Sequence, residues 1–321
     1  MNKNIVCVIS GPTASGKTKT SLALRQRFGG DIVNFDSLLF YKELNIGTAK
    51  PDSSELAACP HHLIDIRSAK DPINAADYAQ LALKTIQELH SKDSIVFLTG
   101  GSGFYLQALL YGMFDSTTVD PKTRERSEIL YKDKGIAPFL EVLKKNDPNS
   151  FNHYHSNDHY RIRRAVEHFW TQGTKFSEER EKMLKTREEN SNFRKLGWNI
   201  FHAHLDLPKE EHYKLIQART QSMLKQGLVQ EVKTLLEEGF SGKEKPMQSI
   251  GYKETVEHLL KGTAQEELLE KINVSTRQLA KAQRTWFKKI KKNEYNPLVN
   301  ASKIVEDFDS FLNRVKINHD H

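Results

Sequence analysis

A chain of 321 residues is long enough for two domains and a large core, and 38% apolar against 28% charged residues reads as a globular protein with a broad polar surface. No apolar run approaches the roughly 20 residues that cross a bilayer, the first residues lead straight into a predicted strand so that a signal peptide is not expected, and the only cysteines are Cys7 and Cys59. A membrane role and a disulfide scaffold are therefore not expected, and a reducing cytoplasm is. The formal charge of +7 is compatible with a polyanionic partner.

The first apolar run, residues 5–9, reads as a buried strand, with Cys7 as one of its small apolar residues. It runs into Gly11-Pro12-Thr13-Ala14-Ser15-Gly16-Lys17-Thr18, a full G-x-x-x-x-G-K-[ST] phosphate loop, and a helical pattern over residues 19–28 follows. The glycines let backbone N–H groups turn around an anion, and the helix adds the positive end of its dipole. Lys17 can reach the terminal phosphate of a diphosphate or triphosphate, and Thr18 can place its hydroxyl on Mg²⁺. The loop does not specify the phosphate compound.

A second run, residues 32–35, ends in Asp36-Ser37. A third, residues 95–98, ends in Thr99-Gly100-Gly101-Ser102-Gly103, and a helical pattern over residues 77–90 precedes it. This alternation predicts a doubly wound α/β core of the P-loop NTPase kind, with a parallel sheet. Ligands bind beyond the carboxyl ends of such strands, so the three turns are expected to line one cleft. Asp36 then becomes a candidate proton acceptor, although an Asp in that place can equally cap the next helix.

Near residue 115 the composition changes, at Asp115-Ser116-Thr117-Thr118. Amphipathic patterns over residues 126–134, 138–145 and 161–172, and a charged run over residues 178–189, predict a mainly helical insert at 116–195. Within it His153, His155 and His159 have no cysteine nearby and no evident fourth ligand, so a metal site is not expected there. Residues 200–205 read as a strand returning to the sheet. Helical patterns follow at 209–226, 229–238, 253–260 and 265–292. The expected organisation is a core from 1–115 and 196–300, the insert at 116–195 and a C-terminal tail at 301–321. Residues 271–292 hold eight Lys or Arg and no acid. Arg277, Lys281, Arg284, Lys288 and Lys291 fall on one helical side, with Leu279, Trp286 and Ile290 opposite and expected in the core. Such a basic stripe suits a nucleic-acid backbone.

Taken in order, the motifs resemble those of the tRNA dimethylallyltransferases. They are the phosphate loop, Asp36-Ser37, Asn45-Ile46-Gly47-Thr48-Ala49-Lys50-Pro51, His61-His62-Leu63-Ile64-Asp65 and Gly100-Gly101-Ser102-Gly103-Phe104-Tyr105. Arg161-Ile162-Arg163-Arg164-Ala165, Ile250-Gly251-Tyr252-Lys253-Glu254 and Thr276-Arg277-Gln278-Leu279-Ala280-Lys281 complete the set. The resemblance implies transfer of a dimethylallyl group from dimethylallyl diphosphate to the exocyclic amine of the adenine that follows a tRNA anticodon. Lys17 and Mg²⁺ would neutralise the leaving group, and Asp36 would take the amine proton. It also implies that Ser102, where the family usually has Thr, touches the base or the diphosphate. Arg219, in an R-x-x-x-M-L stretch, would bind the diphosphate. It places Asp36, Ser37, Leu38, Leu39, Ser102, Arg124 and the segment Tyr160, Arg161, Ile162, Arg163, Arg164 near a flipped-out tRNA base, and makes tRNA the partner of Arg277, Lys281 and Arg284. A monomer is expected. Leu39 and Tyr160 stand where the family usually or often carries Gln.

Three other readings are open. A P-loop kinase for a small nucleotide would be expected to carry a Mg²⁺-binding Asp after the third strand, where Thr99-Gly100 stands. An enzyme prenylating free adenine nucleotides would not need the basic helix or the insert. A tRNA-binding protein without activity has only Leu39 in its favour.

Overall fold

The computed structural model describes residues 4–51, 56, 59–112, 119–186, 189 and 191–317. The polar stretch at 115–118 lies outside the described residues. The chain divides into two compact units, one formed by 1–110 with 195–321 and the other by 111–194.

The larger unit is built on six parallel strands in the order β3-β2-β4-β1-β5-β6. They are β1 (Ile5–Ser10), β2 (Asp31–Asn34), β3 (His61–His62), β4 (Val96–Gly100), β5 (Asn199–Leu205) and β6 (Asn293–Tyr295). Every β1 residue is buried. A parallel strand covered on both faces reads as a continuous apolar run, which is why β1 and β4 are legible in the sequence; in β2 and β5 the run is interrupted by Asn34 and by His202 and His204. The edge strands β3 and β6 are two and three residues long, too short to show a period.

Helix α1 (Lys17–Phe28) follows the phosphate loop, and α2 (Ala75–Ser91) starts where the Asn74 side chain accepts the N–H groups of Ala76 and Asp77. Helix α3 (Gly103–Tyr111) leaves β4. On one sheet face Ile5, Cys7 and Ile9 pack with Leu24 of α1, Phe97, Phe201 and a C-terminal helix. That helix runs Ala301–Ile317, so the expected tail at 301–321 is corrected over its described part. Ile304, Phe308, Leu312 and Val315 recur on one helical face and are all buried, and the Phe308 ring lies 5.1 Å from Phe28 and 5.3 Å from Phe201.

The second unit holds α4 (Pro121–Lys134), α5 (Ala137–Asn146), α6 (Pro148–His153), α7 (His159–Gln172), α8 (Phe176–Thr186) and most of α9 (Asn192–Lys195). Asp120, Asp147 and Asp158 cap α4, α6 and α7 through their carboxylates. Its core is Phe139, Leu143, Ile162, Ala165 and Val166. In the larger unit α10 (Lys209–Gln226), α11 (Leu228–Glu237), α12 (Tyr252–Lys261) and α13 (Gln265–Phe287) precede the C-terminal helix α14 (Ala301–Ile317). The α-helix at 265 ends at Phe287 and not at residue 292, because the chain must turn there to enter β6. Lys288 is the helix's C-cap, and Lys291 therefore lies beyond the helical stripe. No helix of the described residues is long and apolar enough to cross a membrane.

Candidate active site

At the end of β1, Gly11 has φ +156, and a Cβ there would stand 2.4 Å from the Leu205 carbonyl oxygen; only a glycine lets the loop pass β5 this closely. Gly16, at φ +86, brings the loop into α1. Lys17 folds back over the loop and donates to the carbonyls of Gly11 (3.1 Å) and Pro12 (2.9 Å). Burial lowers its pKa to about 8; the Asp36 carboxylate opposes that shift and the Arg219 cation adds to it.

Thr13 is held by each of its polar groups. Its N–H donates to Gln283 Oε1 (2.8 Å), its carbonyl accepts from His212 Nε2 (2.7 Å), and its Oγ1 accepts from Arg219 (2.9 Å). Because His212 Nε2 donates, its Nδ1 is free to accept from Arg284 (2.7 Å), and Arg284 Nε in turn donates to Asp206 (2.7 Å). This use of the ring requires the neutral imidazole, and burial lowers the His212 pKa accordingly. Arg284 is therefore corrected: it points inward to Asp206 and His212 and does not add to an outward stripe. Below the loop Ser10 Oγ is hydrogen-bonded to both His202 Nε2 (2.7 Å) and His204 Nδ1 (2.8 Å).

The ends of β2 and β4 approach each other because Gly100 has no side chain. A Cβ there would meet the backbone of Phe35 at 2.6 Å and of Asp36 at 2.8 Å. That closeness joins their turns: Ser37 N–H donates to Ser102 Oγ (3.0 Å), and the Ser102 hydroxyl donates to Ser37 Oγ (3.1 Å). Asn34 holds the β2 turn, accepting from Asp36 N–H (2.7 Å) and donating to the Asp36 carbonyl (3.0 Å). One Asp36 carboxylate oxygen accepts from Leu38 N–H (3.1 Å).

One cavity of about 290 Å³ opens among these turns; of the phosphate loop Thr13 lines it, and Lys17 does not. Asp36, Ser37, Leu38 and Ser102 line it from β2 and β4, and Thr13 and Arg219 from the phosphate loop and α10. Apolar Ile216, Met223, Ile250, Ile272 and Leu279 complete much of the wall. Leu279 is thus corrected: it is 39% exposed and faces this cavity instead of the core. Leu39 is not among the lining residues. Arg219 also donates to the Thr48 carbonyl (3.2 Å), so it ties the 45–50 loop to the phosphate loop. Glu231 steadies that 45–50 loop by accepting from Ile46 N–H (2.8 Å) and Tyr252 O–H (2.6 Å).

The remaining candidates are dispersed. Thr18 is exposed at the start of α1, and Lys281 is exposed on α13. Arg277 pairs with Glu270 (3.2 Å) and lies over the Tyr213 ring. In the second unit Arg124 is exposed and Tyr160 is 70% exposed. Arg161 pairs with Asp158, Arg163 with Glu128 (2.7 Å) and Arg164 with Glu167 (3.0 Å). Ile162 is corrected: its side chain is fully buried in that unit's core, so the side chain cannot meet RNA. Gln283, His212 and Asp206 are the site residues that the motif reading passed over.

The description IPP transferase belongs to the family model that matches residues 39–290. A tRNA dimethylallyltransferase 1 of Trichlorobacter lovleyi is 38% identical, over 88% of this chain and 90% of the relative, and a tRNA dimethylallyltransferase 2 of Geotalea uraniireducens is 36% identical over 88% of each. Among solved structures, a full-length tRNA isopentenylpyrophosphate transferase from Bacillus halodurans is similar at a TM-score of 0.72 and 28% identity, covering 99% of this chain and all of the other. A eukaryotic dimethylallyltransferase acting on tRNA matches at a TM-score of 0.80 and 27% identity, covering 96% and 80%. With a P-loop NTPase-like sheet, this cavity and those relatives, the chain belongs to the IPP transferase family.

Proposed function

We propose that the chain is a tRNA dimethylallyltransferase, moving the dimethylallyl group of dimethylallyl diphosphate to the exocyclic amine of the adenine 3′-adjacent to the anticodon. One observation carries this reading: a single cavity has Asp36 and Ser102 on one side, Arg219 and Thr13 on another, and an apolar wall suited to a five-carbon chain. In the reaction the adenine nitrogen forms a bond to C1 of the allyl group as the C1–O bond to diphosphate breaks. The electron pair leaves with the diphosphate, beside Lys17 and Arg219, and the amine proton goes to Asp36. Ser102 orients the base. Mg²⁺ would be held by the Thr18 hydroxyl and the diphosphate itself. Thr18 is exposed at the start of α1, so its hydroxyl is open to such an ion, which supplies charge neutralisation when bound. Arg124 and Tyr160 are open to RNA, the latter as a ring on which a base can stack. A monomer acting in the cytoplasm, where its tRNA is, completes the proposal.

The deciding experiment incubates the protein with dimethylallyl diphosphate, Mg²⁺ and tRNA. A prenyl mass gain on one adenosine is expected. Transfer to AMP but not tRNA, or ATP consumption without prenyl transfer, would replace the proposal with a nucleotide prenyltransferase or a kinase.

The depressed Lys17 pKa gives this activity an alkaline limit. A lysine whose folded pKa is about 8, below its unfolded 10.5, costs stability in full below pH 8, and that cost is relieved as pH rises between the two values. Diphosphate binding needs the charged form. Accordingly, kcat/KM for dimethylallyl diphosphate should fall as pH rises through about 8, while the limb in kcat shifts upward because bound diphosphate holds the proton on Lys17. A Lys17→Arg variant with the same descending limb would assign it elsewhere.

A further inference from the structure

We infer that Gln283 is a positioning residue that sets the separation between the phosphate loop and the turn carrying Ser102; this rests on the transferase reading. Its amide is the direct bridge between the two turns: Oε1 accepts from Thr13 N–H (2.8 Å) and Nε2 donates to the Gly101 carbonyl (3.0 Å). The orientation is fixed by chemistry, because the reversed amide would set N–H against N–H and oxygen against oxygen. The approach is tight. A Cβ on Gly101 would meet Gln283 Nε2 at 2.6 Å and the Gly11 carbonyl at 3.3 Å, so both turns converge on this side chain through a glycine.

The platform beneath Gln283 is stiff. It lies on α13 between the buried Ala280 and Phe287, and its neighbour Arg284 is locked to Asp206 and to the His212 that holds the Thr13 carbonyl. The bridge also takes Thr13 N–H out of the anion cradle, leaving the N–H groups later in the loop for the diphosphate. Diphosphate is held on one side of the bridge, and Ser102 with Asp36 faces the adenine on the other. Gln283 therefore fixes how far the leaving group stands from the acceptor, which is a demand of the transition state more than of either ground-state complex.

Two variants of the full chain test this, Gln283→Met and Gln283→Glu, with kcat, KM for each substrate, tRNA affinity and Tm measured. Both should lose about 10- to 100-fold in kcat at pH 8, with tRNA affinity and KM for the diphosphate little changed, as expected for a misplacement on the order of an ångström. The Glu variant carries a further signature. Protonated, its carboxylic acid can accept from Thr13 and donate to Gly101 as the amide does. Ionised, it sets an oxygen against the Gly101 carbonyl. Asp36, Lys17, His212, Arg219 and Arg284 also lie around the loop, so the quantity to read is the ratio of variant to wild-type kcat at each pH. That ratio should climb as pH falls for Gln283→Glu and stay flat for Gln283→Met. Wild-type kcat in both variants, a pH-independent ratio for Gln283→Glu, a change confined to KM, or unfolding of both would overturn the inference while leaving wild-type transfer intact. Absence of wild-type transfer would instead overturn the function on which it rests.

Discussion

Replacing Asp36 by Asn is expected to lower kcat for prenyl transfer by about 10²- to 10⁴-fold while leaving tRNA affinity nearly unchanged, the range over which a positioned general base accelerates a reaction. Asn is the informative choice because it preserves the local geometry. The Leu38 N–H can still donate to the side-chain oxygen, and the paired bonds between Asn34 and the backbone of residue 36 do not involve the carboxylate. What is lost is basicity. The adenine amine is a weak nucleophile until its proton has somewhere to go, and the carboxylate of Asp36 is the acid–base group lining the cavity. Single-turnover kinetics with saturating tRNA and diphosphate isolates the chemical step. A fall in tRNA affinity as large as the fall in kcat would make Asp36 a structural support of the β2 turn. A near-wild-type rate would move proton acceptance elsewhere.

The parts of this site that were legible in the sequence are those whose chemistry is local. The phosphate loop is eight consecutive residues, Asp36 directly follows one apolar run and Ser102 lies in the glycine turn after another, so parallel-sheet topology brings them to one edge. The supports are different in kind. Gln283 reaches Thr13 across 270 positions and His212 reaches it across 199, and no local pattern encodes such pairs. A weak signal did exist for Gln283. It lies three residues after Ala280 and four before Phe287, the spacing of a buried helical face, and a polar residue on such a face needs a partner. Arg284 shows the reverse error, since charge spacing placed it on the outward stripe and only the fold reveals Asp206 beside it. Ile162 sits in an arginine-rich stretch, yet its spacing with Ala165 and Val166 is that of a core face, and burial decided it. Residues 301–317 carry an equally plain amphipathic pattern, overlooked because chain ends are usually frayed.

In the proposed reaction Arg219 faces the leaving group, and its replacement should produce the second large effect. Its guanidinium donates at once to Thr13 Oγ1 and to the Thr48 carbonyl, so it fastens the 45–50 loop to the phosphate loop while presenting positive charge to the cavity. Burial lowers its pKa and the Asp36 carboxylate opposes the shift. The cation is thus partly stripped of water before substrate arrives, which makes it a stronger partner for the charge that develops on a departing diphosphate. Arg219→Ala should therefore lower kcat by about 10²- to 10³-fold, as loss of a preorganised donor does elsewhere, and should also raise KM for dimethylallyl diphosphate. Arg219→Lys separates the two contributions. An ammonium retains the charge but is a compact point donor that cannot span both acceptors as the planar fork does, so it should recover much of the diphosphate affinity and little of kcat. Rapid quench with labelled diphosphate reads both quantities. Full recovery of kcat by lysine would mean that charge alone drives the departure of diphosphate and that the tie between Thr13 and Thr48 is incidental. A loss confined to Tm would reduce Arg219 to a brace between two loops.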